Sequence, residues 1–252
     1  MLLAVQSVFS RDGLADWLFR WFHILAGICW IGLLYYFNFV QVPAFAEYGD
    51  KGKARNLALD KIARRALWWF RWSALLTFVM GILIVGTEKD YFQGGLRVPQ
   101  HSAILTGMIL GTIMLLNVWG VIWRNQKVVL ANAANVLAGG QPDPNAAAAG
   151  RKAFMASRQN VLFSISMLWF MVFAAHSDNT YGKDPLSSGK IATYWIIAIV
   201  LIAVFELNAL GMMPWKATAK KGLNIVYESV QNVLIAGFGL WAIFLVIWEI
   251  IK

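Results

Sequence analysis

The chain has 252 residues, of which 59% are hydrophobic and 14% are charged, and its formal net charge is +9. A soluble domain carries about 25% charged residues, so this composition indicates an integral membrane protein rather than a soluble one. The basic residues fall in the connections between apolar segments, which is typical of membrane orientation signals and argues against nucleic-acid binding. We predict one all-α domain over residues 1–252, a polytopic membrane helical bundle in contact with lipid.

Six membrane-spanning helices are predicted from apolar segments of about 20 residues. In chain order they cover residues 17–42, 67–87, 102–124, 159–177, 191–213 and 226–250. Most basic residues lie in the first, third and fifth connections between these helices. The positive-inside rule therefore places these connections in the cytoplasm and both termini on the outer side of the membrane.

The third connection is predicted to form a cytoplasmic helical hairpin between helices 3 and 4. Arg124–Ala138 is rich in helix formers, GGQPDPN favours a turn, and NAAAAGRKAFMASRQN favours a second helix that leads into the fourth span. At about 1.5 Å per residue, this hairpin would project about 20 Å from the membrane. Its surface is either solvated or a docking site.

Two features of the sequence limit its processing and redox chemistry. The opening segment MLLAVQSVFSRDGLADW has no cationic n-region and only a short apolar run, so we expect no cleaved signal peptide. Cys29 is the only cysteine. Intramolecular disulfides, a CxxCH haem-attachment site and cysteine-ligated iron–sulfur clusters are therefore excluded.

The chain contains three histidines, His23, His101 and His176, and the predicted topology places all three at the outer face of the membrane. Neutral imidazole is a common ligand for haem iron and other metals. Two of them could ligate a b-type haem, with the third left for a second haem, a substrate or a propionate. All three could instead bind copper or zinc. His101 and His176 could also be interfacial residues in contact with water or headgroups.

Three residues near His23 are further candidates for cofactor binding. Gly27 and Trp30 follow His23 by four and seven residues and so share its helix face. Gly27 either leaves room for a flat macrocycle or lets another helix approach closely. Arg20, about one turn before His23, could pair with a haem propionate or extend towards the headgroups.

Other polar, small or sulfur-containing residues stand out within the predicted spans. Gly107 and Gly111 have GxxxG spacing and predict close helix packing. Arg71 and Glu206 are ionisable groups inside the membrane, and we predict a structural ion pair between them, ahead of a proton route. Four methionines could act as soft metal ligands, although methionine more commonly fills packing gaps. They are Met108, Met114, Met167 and Met171.

Several motifs resemble one membrane-protein family. RWFHILAGICWIGLLYYFNFVQVPAF, which contains His23, resembles the first helix of the membrane-embedded N-terminal domain of urate oxidase, the PuuD-type urate hydroxylase family. NVWGVIWRNQK at Asn117–Lys127 resembles the end of a central helix in that family, and MLWFMVFAAH resembles its helix with a later histidine. The likeness extends from about Asp16 through the last helix. The looser H-x3-G-x2-W-x-G pattern is similar to helices of HemJ-type protoporphyrinogen oxidases and CopD copper-resistance proteins.

The resemblance implies a haem-dependent protein of the bacterial inner membrane that takes part in electron transfer. It makes His23, His101 and His176 the candidates to carry the redox centre. Longer family members end in a cytochrome c domain, whereas this chain contains no CxxCH. We therefore expect electrons to pass to a separate cytochrome c or to a quinone.

Three functions remain as alternatives. The first is a haem-b-dependent electron-transfer protein or oxidoreductase of urate-hydroxylase type. The second is a non-catalytic accessory subunit of a larger respiratory or oxidase complex in the membrane. The third is a copper-handling protein. We adopt the first as the working hypothesis.

Overall fold

The computed structural model describes residues 11–49, 51–87, 91–176, 182, 184–214 and 222–251. These residues are helical apart from the turns between helices, and they contain no β-strand. The prediction of an all-α fold is therefore confirmed. The α-helices of the described ranges are α1 (Arg11–Tyr35), α2 (Val42–Glu47), α3 (Gly52–Ala58), α4 (Arg64–Thr87), α5 (Pro99–Leu116), α6 (Trp123–Leu137), α7 (Ala146–Ala174), α8 (Ser188–Ala209), α9 (Ile225–Glu228) and α10 (Val230–Ile251).

Three short π-helical segments join neighbouring helices end to end. Tyr36–Gln41 joins α1 to α2, Leu59–Ala63 joins α3 to α4, and Asn117–Ile122 joins α5 to α6. Each pair is thus a continuous helical rod. A π-helical segment shifts the register of the side chains that follow it, and such segments are frequent at functional sites.

Five helical segments in the described ranges are long and apolar enough to cross a membrane. They are Gly13–Glu47, Gly52–Thr87, Pro99–Leu137, Ser188–Ala209 and Val230–Ile251. They overlap five of the six predicted spans and fit a multi-pass membrane protein in contact with lipid.

The predicted fourth span, 159–177, corresponds mainly to the second half of α7. This helix is not among the five segments that are long and apolar enough to cross a membrane. α7 has 29 residues, or about 44 Å at 1.5 Å per residue. It packs against α5, α6 and α10, and less extensively against α1 and α8. Its polar side chains are buried inside the protein at Arg158, Gln159, Asn160, Ser164 and Ser166. α7 is therefore the central helix of the bundle, and protein covers its polar side.

Glycines allow the closest approaches between helices. A Cβ at Gly107 of α5 would lie 3.3 Å from Phe170 Cβ of α7. This contact confirms the close packing predicted from the Gly107–Gly111 spacing. A Cβ at Gly237 of α10 would lie 2.6 Å from Ile165 Cδ1 and 3.1 Å from the carbonyl oxygen of Leu162, both on α7.

The predicted hairpin is present but does not project as a free stalk of two helices. α6 and α7 pack against each other, and the turn between them is closed by a hydrogen bond from Asn135 Nδ2 to the Gln141 carbonyl, at 2.7 Å. α3 packs against α6, and Arg64 Nη2 donates to the Leu130 carbonyl at 3.3 Å. The first connection thus contributes helices to this end of the bundle. We call it the hairpin end.

Candidate functional site

His23 lies on α1 in contact with α4. Its Nδ1 is 2.8 Å from the carbonyl oxygen of Thr77. Because a carbonyl oxygen only accepts hydrogen bonds, Nδ1 carries the hydrogen, and the neutral ring keeps a lone pair on Nε2. Gly81 provides space for the ring, since a Cβ there would lie 3.3 Å from His23 Cε1 and 3.4 Å from Nδ1. α4 therefore orients the ring and fixes its tautomer.

His101 has the same type of hydrogen bond in the first turn of α5. Its Nδ1 is 2.9 Å from the carbonyl oxygen of Gly95, which leaves Nε2 as the unprotonated nitrogen of the neutral ring. Gly94 and Gly95 have φ values of 88° and 70°, a left-handed backbone that glycine adopts at little cost. This turn brings the Gly95 carbonyl back to the ring. The ring also packs edge-on against Phe92, with centroids 5.6 Å apart.

His176 follows the end of α7, where it is exposed. Its backbone N–H donates to the Phe173 carbonyl at 2.9 Å, which continues the last helical turn. The Gly107–Phe170 contact shows which residues of α5 and α7 lie side by side along the bundle axis. His101 precedes Gly107 by six residues and His176 follows Phe170 by six, so in this antiparallel pair both lie at about the same level of the bundle.

All three histidines lie at the end of the bundle opposite the hairpin. His101 begins α5 and His176 follows α7, while His23 lies deeper, beside Thr77 of α4. We call this the histidine end. The structure thus places the three histidines towards the same end of the bundle, and the rings of His23 and His101 are hydrogen-bonded to different backbone segments.

A single metal centre built from all three histidines is not supported. In the part of the chain that the structure describes, no group of three His, Cys, Asp or Glu side chains could hold one metal ion. This observation counts against the alternative of a three-imidazole copper or zinc site. Ligation of a haem by two imidazoles needs no such group and stays a prediction.

The other residues predicted near His23 take different roles. A Cβ at Gly27 would lie 3.8 Å from Thr77 Cγ2 of α4, which supports the helix-packing alternative. Trp30 is buried, and its Nε1–H has no hydrogen-bond partner among the described residues. Arg20 Nε donates to Asp16 Oδ2 at 2.8 Å. This partner was not predicted, although its four-residue spacing is typical of helical ion pairs.

The predicted ion pair between Arg71 and Glu206 is wrong. The guanidinium carbon of Arg71 lies 3.8 Å from the ring centroid of Trp123, a cation–π contact between α4 and α6. Glu206 Oε2 instead accepts a hydrogen bond from Asn117 Nδ2 at 3.1 Å. The two side chains have different partners because their helices present them to different neighbours, a rotation that hydropathy does not reveal.

The methionines of the third and fourth predicted spans serve the packing of the bundle. Met114 and Met167 belong to the buried apolar core, against which Met108 and Met171 pack. A Cβ at Gly107 would lie 3.3 Å from the methyl group of Met171. These contacts support the gap-filling alternative over metal ligation.

A buried polar cluster joins α5, α7 and α8, and it was not predicted. Asn117 Nδ2 donates to Asn160 Oδ1 at 3.0 Å and to Glu206 Oε2, and Asn160 Nδ2 donates to the Met114 carbonyl at 2.9 Å. Nearby on α7, Gln159 Oε1 accepts from the Tyr227 hydroxyl at 2.6 Å. The available signal was the presence of asparagine and glutamine inside otherwise apolar segments.

Asn160→Leu is expected to lower the free energy of unfolding by about 1–3 kcal/mol, because the Asn117 amide and the Met114 carbonyl each lose a partner inside the bundle. The thermal unfolding midpoint in detergent measures this loss. Asn125→Leu is the matched control, since in the contacts described Asn125 donates only to the carbonyl of Val121, one turn before it on the same helical rod. Equal midpoints for the two variants would contradict a stabilising cluster.

The geometry of the histidine end is the basis for assigning a function. Comparison of the chain with protein-family models, with curated proteins and with solved structures finds no match. The resemblance to the urate hydroxylase family stays a prediction, and the residues at the histidine end carry the functional argument.

Proposed function

We propose that this protein is a haem-b-dependent membrane protein of urate-hydroxylase type, acting as an electron-transfer protein or oxidoreductase. The observation that carries the proposal is the hydrogen-bonding pattern that His23 and His101 share. Each ring donates Nδ1–H to a backbone carbonyl and keeps Nε2 for a metal. Metal-ligating histidines commonly have this arrangement, because the hydrogen bond fixes the tautomer and makes the ligating nitrogen more basic.

The donor set fits a non-covalently bound haem. His23 would provide one ligand to the iron, and His101 or His176 at the same end of the bundle would provide the other. Haem b bound there supplies reversible one-electron oxidation and reduction. Thr77 and Gly81 of α4 hold the His23 ring in place. The buried Trp30 Nε1–H offers a donor to a ligand on the same face of α1.

The orientation in the membrane is also part of the proposal. α7 would be a sixth crossing, which is favourable despite its polar residues because they are buried in protein and away from lipid. Six crossings would put both termini on one side, and the positive-inside rule favours the outer side for them. In the bacterial inner membrane that the family resemblance implies, this side would be the periplasm. Electrons would then leave from the histidine end to a separate periplasmic cytochrome c, or pass to a quinone.

A second candidate is a non-catalytic accessory subunit of a larger membrane complex. It is favoured by the aromatic face of α4, where Trp68, Trp69 and Trp72 are all exposed. Tryptophan is enriched both at membrane interfaces and at protein interfaces. Mild solubilisation followed by size analysis distinguishes the two candidates. A monomer with redox turnover of its own would contradict the accessory role.

Absorbance and metal content of the purified full chain test the proposal. We expect a Soret band, with sharper visible bands on reduction by dithionite, together with iron as protoporphyrin and no stoichiometric copper. The protein is purified from native membranes and measured again after addition of haemin. A chain without a Soret band in both preparations would contradict haem binding.

A further inference from the structure

A cavity of about 550 Å³ lies at the hairpin end, opposite the histidines. Residues from all three π-helical segments line it. Phe37, Asn38 and Gln41 come from the first segment, Leu59 from the second and Ile122 from the third. Cavities of this size hold small organic ligands, and the shifted helical register brings these side chains to one place.

Two residues of the lining, Asn38 and Gln41, each have a buried amide oxygen without a hydrogen-bond partner in the described ranges. Asn38 is 1% exposed, and its Nδ2 donates to the Leu34 carbonyl and to Ser157 Oγ, both at 2.8 Å. The Leu34 carbonyl requires a donor, which orients the amide and leaves Oδ1 unpaired. Gln41 Oε1 is buried and unpaired as well.

These unpaired acceptors define what a ligand must offer. A buried acceptor without a partner is unfavourable, because it has lost its hydrogen bond to water and gained none in the protein. A ligand hydroxyl or N–H group that donates to Asn38 or Gln41 would supply the missing hydrogen bond. A ligand that only accepts hydrogen bonds would not.

The remaining walls are aromatic, with a cation at the rim. Phe37, Phe45, Phe70 and Phe154 line the cavity. Arg55 also belongs to the lining and is exposed, with its guanidinium carbon 6.0 Å from the Phe45 ring centroid. The cavity thus combines flat apolar walls, buried acceptors and a positive charge that solvent can reach.

We propose that this cavity binds a water-soluble organic anion with an aromatic body and a hydroxyl or N–H donor. The ring packs against the phenylalanines, the donor binds Asn38 or Gln41, and the anionic group pairs with Arg55. Solvent reaches the rim at Ala46, Gly49 and Ala147, all of which are exposed. The cavity is separate from the proposed haem ligands, so this assignment does not depend on the proposed function.

Calorimetry on the full-length protein in detergent tests the site with three related probes. 3-(4-Hydroxyphenyl)propionate has both the donor and the anion, 3-phenylpropionate lacks the donor, and 4-hydroxyphenylethanol lacks the anion. We expect the first to bind, and each of the others to bind about tenfold more weakly. Absence of saturable binding of the first probe up to about 10 mM would overturn the proposal.

Two variants assign the contacts. Arg55→Gln is expected to weaken 3-(4-hydroxyphenyl)propionate about tenfold, through loss of the charge-assisted contact. Arg65→Gln is the matched control, because Arg65 is exposed and lies outside the lining, where it donates to the Lys61 carbonyl. Gln41→Met is expected to weaken the hydroxylated probe while leaving 3-phenylpropionate unchanged. Equal affinities in the native protein, Arg55→Gln and Gln41→Met would place the probe elsewhere and overturn the proposal.

Discussion

His23→Ala is expected to lower the haem content of the purified protein about tenfold or more. The substitution removes the imidazole that we propose ligates the haem and that α4 holds in place through Thr77. Loss even of a residue that supports a metal ligand typically costs about 10–100-fold in metal affinity. Haem per polypeptide, measured as the pyridine haemochrome, gives the result directly. Haem content equal to that of the native protein would remove His23 from the site.

Controls for this experiment separate ligation from folding. Cys29→Ala changes a half-buried residue on the same helix and is expected to retain the haem. His101→Ala and His176→Ala identify the second ligand, because only the variant that removes it should lose the haem as His23→Ala does. Full haem retention in both would contradict bis-imidazole ligation at the histidine end.

Gly237→Ala is expected to lower the free energy of unfolding by about 1–3 kcal/mol, the usual effect of overpacking a close contact. The added methyl group would lie 2.6 Å from Ile165 Cδ1, a side-chain end that can move, and 3.1 Å from the Leu162 carbonyl oxygen, which belongs to the α7 backbone. α10 must therefore shift away from α7. The thermal midpoint of the detergent-solubilised protein measures the change.

Gly239→Ala on the same helix is the matched control. A Cβ at Gly239 has no neighbour within 4 Å, and alanine is about 0.5–1 kcal/mol more favourable than glycine inside a helix. We expect this variant to be unchanged or more stable, opposite in sign to Gly237→Ala. Two variants of equal stability would contradict the close contact between α10 and α7.

The long apolar helices were predictable because hydropathy reports directly on them. The predicted spans 191–213 and 226–250 correspond to α8 and α10. The fifth span was predicted to end four residues too late, since the turn at Gly211 has a φ of 74°. The helix Gly52–Ala58 was not predicted, because its polar sequence carries no apolar signal; in the structure it packs against α6.

The candidate site was predictable only in part. The scarcity of histidine and the alternation of the helices indicated which end of the bundle to consider. The hydrogen bond from His101 to Gly95 depends on a glycine turn, and the bond from His23 to Thr77 depends on how α1 and α4 are rotated. Neither rotation nor turn geometry is readable from hydropathy. The same limit explains the failed Arg71–Glu206 pair.

The burial of α7 has a consequence for how the protein is made. A translocon releases a helical segment into lipid according to how apolar the segment is. The polar residues of Ser157–Asn160 make α7 less apolar than the other long helices. In the Asn117–Asn160 hydrogen bond, the donor Asn117 belongs to the α5–α6 rod and the acceptor Asn160 belongs to α7. The α5–α6 rod is synthesised before α7. We therefore expect α7 to integrate poorly when expressed by itself, and to integrate efficiently once the preceding helices are in the membrane to receive it.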